Sequence, residues 1–147
     1  MRQAYDDGVL CFEDVQVGDT APVLSHTLSR SDLVEYAGAS GDFNPMHTDE
    51  LAAKEAGMPG VFGHGMFSAG LLATALTNWA GIGRVVRYNV RFVKQTWPGE
   101  EFRTSIAVTN KRKQGDQSLV DVECSLANAD GEVKVSGEAT VELPSRG

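Results

Sequence analysis

The segment MFSAGLLATALTNWA, residues 66–80, carries no charged side chain. Its bulky apolar residues are Met66, Phe67, Leu71, Leu72, Leu76 and Trp79, and only Ala, Gly, Ser, Thr and Asn lie between them. A helix that is apolar or small on every side is usually buried on every side. We therefore predict one helix, stopped at Gly81, that the rest of the fold has to cover.

From residue 84 onward the hydrophobic pattern takes a period of two, which is typical of strands. RVVRYNVRFVKQTW, residues 84–97, alternates apolar and polar side chains, and EFRTSIAVTN, QSLVDVECSLA and EVKVSGEATVEL follow it. Turn signals separate these segments at Pro98-Gly99, around KRKQGDQ and at NADG. The pattern predicts four consecutive strands joined by short turns, in an antiparallel meander.

Two shorter helices are predicted before the charge-free segment. The first is capped by Ser29, has Asp32 in its first turn and stops between Gly38 and Gly41. The second begins at Thr48, where Asp49 and Glu50 favour a helix start, and ends at Gly57. FEDVQVGDTAPVLSHTLS, residues 12–29, predicts short strands with a turn at Gly18-Asp19.

Together these elements predict an α+β fold in a single domain spanning residues 1–147. We expect a curved antiparallel sheet that wraps the long central helix and covers most of its circumference. Two separate layers would instead leave one side of that helix facing water.

Composition excludes several classes of protein. With 147 residues and 41% hydrophobic content the chain is large enough for one real core. A net charge of −7 argues against a general nucleic-acid binder, which needs a basic face for phosphates. No apolar run is long enough to span a membrane and the N-terminus shows no secretory pattern, so we expect a cytoplasmic protein. Cys11 and Cys124 match no CxxC spacing and are expected to be reduced.

The loop SGDFNPMHTDE, residues 40–50, carries an acid, an amide and an imidazole around a proline. Pro45 disfavours a helical conformation for Asn44, so the loop is sharply bent and could aim Asp42 and His47 at one point. The alternative is that Asp42 and Asn44 only cap the backbone and that His47 lies at the surface.

A second candidate element is GHGMFSAG, residues 63–70, where the long helix begins. The first N–H groups of a helix have no acceptor inside it and carry partial positive charge. Gly65 would let a ligand oxygen approach that backbone closely, as in an oxyanion hole. A plain junction between a loop and a helix would have the same sequence.

YAGASGDFNPMHTD (residues 36–49) followed by GVFGHGM (residues 60–66) resembles the signature of the MaoC-like dehydratases, the (R)-specific enoyl-CoA hydratases of the hot-dog fold. FEDVQVGD and YNVRFVKQTWPGE extend the resemblance over nearly the whole chain. Members of this family have a long helix wrapped by an antiparallel sheet and generally work as dimers.

The resemblance implies a hydro-lyase that adds water to 2-enoyl thioesters or removes it from (R)-3-hydroxyacyl thioesters. Asp42 and His47 match the catalytic dyad of the family, and the Gly65 N–H would bind the thioester carbonyl oxygen. Asn44, His64 and Met66 are expected to line the substrate site, with Asn44 shaping the loop rather than reacting. Which of Asp42 and His47 is the general base stays open.

The resemblance implies no cofactor beyond the coenzyme A or acyl carrier protein of the substrate. Arg91 is our first choice for binding the phosphates or acidic surface of that carrier, although a solvated outer face is the alternative. His26, His47, His64 and Asp42 are possible metal ligands, but no HxxxH or HxH spacing occurs and no metal is expected. Some relatives place a serine about two turns after the glycine, where this chain has Ala73 and Thr74.

Two alternatives remain. The chain could be the catalytic member of a heterodimer whose partner, a second hot-dog chain, completes the substrate site, instead of a homodimer. It could also be a hot-dog acyl-CoA thioesterase, although that class lacks the GDxNPxH loop. Acyl-chain length, carrier and physiological direction are not determined by the sequence.

Overall fold

A computed structural model describes residues 8–147 of the chain. The expectation of no secretory signal falls partly on residues 1–7, outside the described residues. The helices are α1 (Arg30–Ser40), α2 (Glu50–Glu55) and α3 (Gly65–Ala80), with single 3-10 turns at Phe12–Asp14 and Pro45–His47. The strands are β1 (Ser25–Thr27), β2 (Val85–Phe92), β3 (Glu101–Gln114), β4 (Gln117–Asn128) and β5 (Val133–Glu142).

The helix boundaries confirm the capping signals in the sequence. The Ser29 hydroxyl accepts a hydrogen bond from the Asp32 N–H, and the Asp32 carboxylate accepts one from the Ser29 N–H. This reciprocal pair satisfies two of the donors that a helix start leaves free. At the other end of α1, Gly41 takes a left-handed conformation with φ 76° and turns the chain into the loop that carries Asp42.

The five strands form one antiparallel sheet in the order β1-β3-β4-β5-β2. The predicted meander is therefore wrong in one respect, because β2 pairs with β5 rather than with β3. The connection of residues 93–100 is long enough to carry the chain from one side of the sheet to the other, and β1 occupies the free edge of β3. The predicted pairings of β3 with β4 and of β4 with β5 are confirmed.

Close backbone packing between β2 and β5 depends on Gly137. A Cβ atom at this position would collide with the carbonyl oxygen of Asn89 on the neighbouring strand. A glycine inside a strand often marks such a close approach.

The sheet covers α3 along most of its length but not all around it. Leu72, Ala75, Leu76 and Trp79 are buried against the core strands. Met66, Gly70, Thr74 and Asn78 are exposed and recur every four residues, so they form one stripe along the helix. The expectation that the sheet covers most of the circumference of the helix is confirmed, and the stripe stays open in the single chain because β2 is the last strand on that side.

The hydroxyl of Tyr88 holds the last strand against the helix. It donates a hydrogen bond of 2.7 Å to the carbonyl oxygen of Ala69. Burial raises the pKa of Tyr88, so the phenol stays protonated and remains a donor at neutral pH.

A buried ion cluster fixes the connection between β2 and β3. The Lys134 ammonium is 1% exposed and lies 3.0 Å from the Glu100 carboxylate and 2.6 Å from that of Glu132. It also donates to the Gln95 carbonyl oxygen at 2.9 Å. Burial lowers the pKa of Lys134, but hydrogen bonds to the two carboxylates outweigh this effect and raise it. Hydrogen bonds from Lys134 and Lys94 lower the pKa of Glu132 to about 2.

The expectations about the two cysteines and about membrane-spanning segments can be compared with the described residues. Cys11 and Cys124 are both free, and burial raises the pKa of Cys124 to about 11. Within residues 8–147 no helix has the length and apolar character required to cross a bilayer.

Replacing Lys134 with methionine should strongly destabilise the fold. Removal of the ammonium leaves the Glu100 carboxylate largely buried without its counter-ion, which costs about 3–5 kcal/mol in comparable cases. Urea unfolding measures the loss. The matched control is Lys94→Met, which removes an exposed partner of Glu132 and should cost much less. Equal losses in the two variants would contradict the role given to the buried cluster.

Candidate active site

Short-range hydrogen bonds fix the conformation of the loop that follows α1. The Ser40 hydroxyl accepts from the Asp42 N–H at 3.2 Å, and the Asp42 carboxylate accepts from the Asn44 N–H at 3.2 Å. The Asn44 side chain accepts from the Met46 N–H at 3.1 Å and caps the 3-10 turn Pro45–His47. The capping alternative is thus correct for Asn44 and for one oxygen of Asp42, while the other carboxylate oxygen of Asp42 stays available.

The ring of His47 is buried and held in one orientation. Its Nδ1 lies 2.6 Å from the carbonyl oxygen of Phe62. Because a carbonyl only accepts, Nδ1 carries the proton, and in the neutral ring Nε2 is left with a lone pair. The ring of Phe62 packs edge-on against the imidazole at 5.0 Å. His47 therefore presents a basic nitrogen, and the alternative that it lies at the surface is wrong.

The ring of His64 packs against the ring of His47. The two imidazole rings stack with 3.9 Å between centroids and 30° between planes. The Nε2 of His64 donates to the backbone carbonyl oxygen of Asp42 at 3.1 Å, and Tyr36 packs edge-on against the His64 ring with 4.9 Å between centroids. His64 is only 1% exposed, which argues against a direct contact between its side chain and the substrate.

The two loops bring one carboxylate and two imidazoles together. Side-chain ligand atoms of Asp42, His47 and His64 all lie within 4.8 Å of one another. The structure thus places Asp42 and His47 next to each other, as the bent loop predicts. Their part in catalysis stays a prediction.

The same three residues are a possible metal-binding group within residues 8–147. The rings of His47 and His64 are stacked with 3.9 Å between centroids, which limits how far either ring can turn toward a shared ion. In addition, Nδ1 of His47 and Nε2 of His64 are committed to backbone carbonyls. The arrangement suits proton transfer better than metal binding, and a metal-free site stays a prediction.

Gly65 is the first residue of α3, and it is exposed beside this cluster. Its N–H has no acceptor inside the helix. A Cβ atom at position 65 would lie 3.1–3.3 Å from the ring of Phe92, so a side chain here would crowd the approach to the N–H. A helix N-terminus with partial positive charge and no side chain in front of it can bind an oxygen with developing negative charge.

A cavity of about 290 Å³ opens beside Gly65. Ser68, Phe92, Thr96 and Lys134 are among its lining residues. The Ser68 hydroxyl is buried and has no hydrogen-bond partner among the described residues. None of these four residues is predicted from the sequence as a site residue. Only Phe92 could have been predicted from the sequence, because the alternation of apolar and polar residues in β2 places it on the helix side of the sheet.

The remaining predicted residues lie farther from the dyad. Met66 is 61% exposed on the uncovered stripe of α3. Arg91 is exposed and lines a cavity of about 620 Å³ on the outer face of the sheet, opposite the face that carries Phe92. The Thr74 hydroxyl donates to the Gly70 carbonyl oxygen of its own helix, so it does not support the dyad. Substrate contacts by Met66 and Arg91 stay predictions.

Acidification should destabilise the protein partly through His64. Burial lowers the pKa of His64, and the nearby His47 lowers it further. In the unfolded chain His64 binds a proton near pH 6.5, whereas in the folded chain it binds that proton only at a lower pH. The contribution of His64 to stability is thus fully present above pH 6.5 and is lost as pH falls from there toward the lowered pKa.

Urea unfolding at pH 7.5 and 5.5 measures this loss. The wild type should lose more stability between the two pH values than His64→Gln, which cannot titrate. His26→Gln keeps His64 in place and should retain the His64 contribution. An identical pH dependence in the wild type and His64→Gln would show that the ring is free to protonate in the folded state.

Comparison with known proteins shows which family the chain resembles in sequence. A family model described as "MaoC like domain" matches residues 15–129. An (R)-specific enoyl-CoA hydratase of Rhodospirillum rubrum is 34% identical over 97% of this chain and 98% of its own. A 3-hydroxybutyryl-CoA dehydratase of Methylorubrum extorquens is 31% identical over 94% of this chain and 87% of its own.

Solved structures share the architecture. The (R)-hydratase of Aeromonas caviae, described as involved in PHA biosynthesis, superposes with a TM-score of 0.79 and 27% identity, covering 88% of this chain and 98% of its own. A chain of the ChsH1-ChsH2 complex of Mycobacterium tuberculosis gives a TM-score of 0.73 and 27% identity, covering 89% and 98%.

Proposed function

The chain belongs to the MaoC-like domain family, and from this membership we propose that it catalyses (R)-specific hydration of 2-enoyl thioesters and the reverse dehydration of (R)-3-hydroxyacyl thioesters. It is a hydro-lyase, like the hydratase and the dehydratase to which it is similar over nearly its whole length. The observation that carries the proposal is the meeting of Asp42 and His47 beside the N-terminus of α3.

Hydration needs three actions in one place. A base removes a proton from water as its oxygen bonds to C3, an acid protonates C2, and a donor stabilises the thioester oxygen as the enolate forms. In our proposal the water lies between the Asp42 carboxylate and Nε2 of His47. The bond from Nδ1 of His47 to the Phe62 carbonyl keeps that Nε2 unprotonated and ready to accept a hydrogen bond.

The Gly65 N–H is the proposed donor to the thioester oxygen. The dipole of the 16-residue helix α3 adds to this effect, because negative charge is favoured at a helix N-terminus. A backbone donor is held in place before the reaction, so it stabilises the enolate without rearrangement.

Water and proton come from the same pair of side chains in this mechanism. The proton that leaves water at the dyad returns to C2 on the same face of the double bond, so the addition is syn. We propose that the product has (R) configuration, in agreement with the (R)-specific hydratase of Rhodospirillum rubrum.

The carrier is proposed to be coenzyme A or an acyl carrier protein, and no further cofactor takes part. Met66, exposed one residue beyond Gly65, is in place to contact the thioester arm, and Asn44 shapes the dyad loop through its bond to Met46. Arg91 lies across the sheet from the reacting atoms. It could therefore meet only the distant, phosphate-bearing part of the carrier.

Replacement of either dyad residue should abolish most of the activity. Asp42→Asn and His47→Gln keep size and polarity but remove the proton-handling group, which should lower kcat for crotonyl-CoA hydration by about 10²–10⁴-fold. Loss of absorbance of the conjugated double bond measures the rate, and chiral analysis of the product tests the (R) configuration.

The matched controls are Asp130→Asn in the turn between β4 and β5 and His26→Gln beside α1, both outside the site. They should keep wild-type activity. Unchanged activity in either dyad variant would overturn the mechanism. Release of free thiol without hydration would identify a thioesterase instead.

We further propose that the active form is a homodimer. The outer edge of β2 has no neighbouring strand among residues 8–147, and Val86, Phe92 and Val93 are about half exposed along it. The uncovered stripe of α3 is exposed as well. An unpaired edge strand is a ready template for pairing with another chain.

A second copy of the chain fits both features at once. Two β2 edges related by a two-fold axis can pair antiparallel and extend the two sheets into one. Because Tyr88 fixes β2 to α3, the same axis would bring the two helix stripes together, and the small Gly70 and Thr74 would allow close approach. The ChsH1-ChsH2 complex of Mycobacterium tuberculosis is the precedent for an assembly of two different chains.

Light scattering after size-exclusion chromatography should give about 32 kDa, twice the 15.8 kDa of one chain. Thr74→Arg places a charge on the stripe and should give a monomer. The control is Thr109→Arg, also an exposed threonine bonded to a backbone carbonyl but located on the sheet away from α3. It should remain dimeric. A stable wild-type monomer would favour the heterodimer.

A further inference from the structure

His64 is the one histidine of the site that has no part in the proposed chemistry. It is less exposed than His47, and its Nδ1 has no hydrogen-bond partner among the described residues. A buried polar atom without a partner costs stability, so this ring is not explained by packing alone.

The contacts of His64 determine its protonation. Its Nε2 faces the backbone carbonyl oxygen of Asp42, which can only accept, so Nε2 carries the proton. His47, whose Nδ1 faces the Phe62 carbonyl, is the opposite tautomer. The two stacked rings are therefore each fixed by one backbone carbonyl, and each carries its proton on a different nitrogen.

A single side chain thus touches both members of the dyad. The N–H edge of His64 holds the backbone of Asp42, and its face supports the ring of His47 at 3.9 Å. Tyr36 of α1 also packs edge-on against this ring, which limits its freedom to move. Because His64 occupies the N-cap position of α3 and precedes Gly65, it also connects the dyad to the helix N-terminus.

We propose that His64 is a positioning residue that sets the distance between the Asp42 carboxylate and the His47 ring without touching the substrate or exchanging protons. The inference rests on the proposed function for its kinetic part only. The tautomers of the two rings can be tested without any reaction.

Neutrality of His64 is part of this role. The groups that face it are His47 from the 3-10 turn, Asp42 from the loop and Tyr36 from α1. A second proton would lie on the buried, unpartnered Nδ1, next to the stacked imidazole of His47. Burial lowers the pKa of His64 and so keeps its ring from competing with His47 for protons.

Spectra of protein labelled with 15N-histidine test the geometry directly, because the chain has only three histidines. In the wild type at pH 7.5 we expect neutral His64 with its proton on Nε2 and neutral His47 with its proton on Nδ1. In His64→Leu, which replaces the ring with apolar atoms, we expect the His47 signals to shift and broaden, because its ring loses the stacked support while the Phe62 carbonyl keeps the proton on Nδ1. A proton on Nδ1 of His64, or an unchanged His47 signal in His64→Leu, would overturn the proposal.

Steady-state hydration of crotonyl-CoA tests the consequence for catalysis. His64→Leu should lower kcat by about 100-fold, since small misplacements of catalytic groups have effects of that size. KM should change by less than about threefold, because the substrate does not meet the ring. His64→Gln keeps an N–H near the position of Nε2 and should stay within about tenfold of the wild-type kcat.

A wild-type kcat in His64→Leu, or no recovery in His64→Gln, would overturn the positioning role. A variant that loses stability but keeps kcat would show a purely structural role. If the wild type does not hydrate the thioester, the proposed function fails while the tautomer measurement still decides this inference. If His64→Leu does not fold, the wild-type tautomers and His64→Gln decide it.

Discussion

Burial of one charge-free helix is the constraint on which the rest of the structure depends. The side chains of α3 are too apolar to face water on more than one side, and Leu72 and Leu76 are almost completely enclosed. A single curved antiparallel sheet meets this need with β3, β4, β5 and β2 in contact with the helix. The side that the sheet leaves open is narrow and is made mostly of small and polar residues.

The geometry of the candidate site is a consequence of where that helix begins. The sheet fixes the position of α3 and therefore of its N-terminus. The segment just before that N-terminus packs against the connection of residues 93–100. The Gly63 N–H donates to the carbonyl oxygen of Thr96, and the next carbonyl back along the chain, that of Phe62, holds His47. Thr96 adjoins Gln95, which the buried Lys134 holds. A buried ion cluster is thus linked to the dyad through a few backbone contacts.

Local signals in the sequence predicted what depends on neighbours along the chain. The Ser29 cap, the turn at Gly41 and the limits of α3 each follow from residues within a few positions, and all agree with the structure. The bent loop around Pro45 also indicated that Asp42 and His47 would meet, because both lie within one turn of backbone. The stacking of His64 on His47 had no such signal, since the two rings are 17 positions apart and meet only through the fold.

The sequence by itself determined the elements, the α+β class and the residues able to handle protons, because hydrophobic period, capping and turn chemistry act over a few residues. Only the tertiary structure decided that β2 crosses to pair with β5, that Lys134 is buried with two acids, and that one stripe of α3 stays open. A strand pattern shows which face is apolar but not which neighbour the strand takes, and it does not show that a lysine will be buried against a carboxylate far along the chain, that of Glu100.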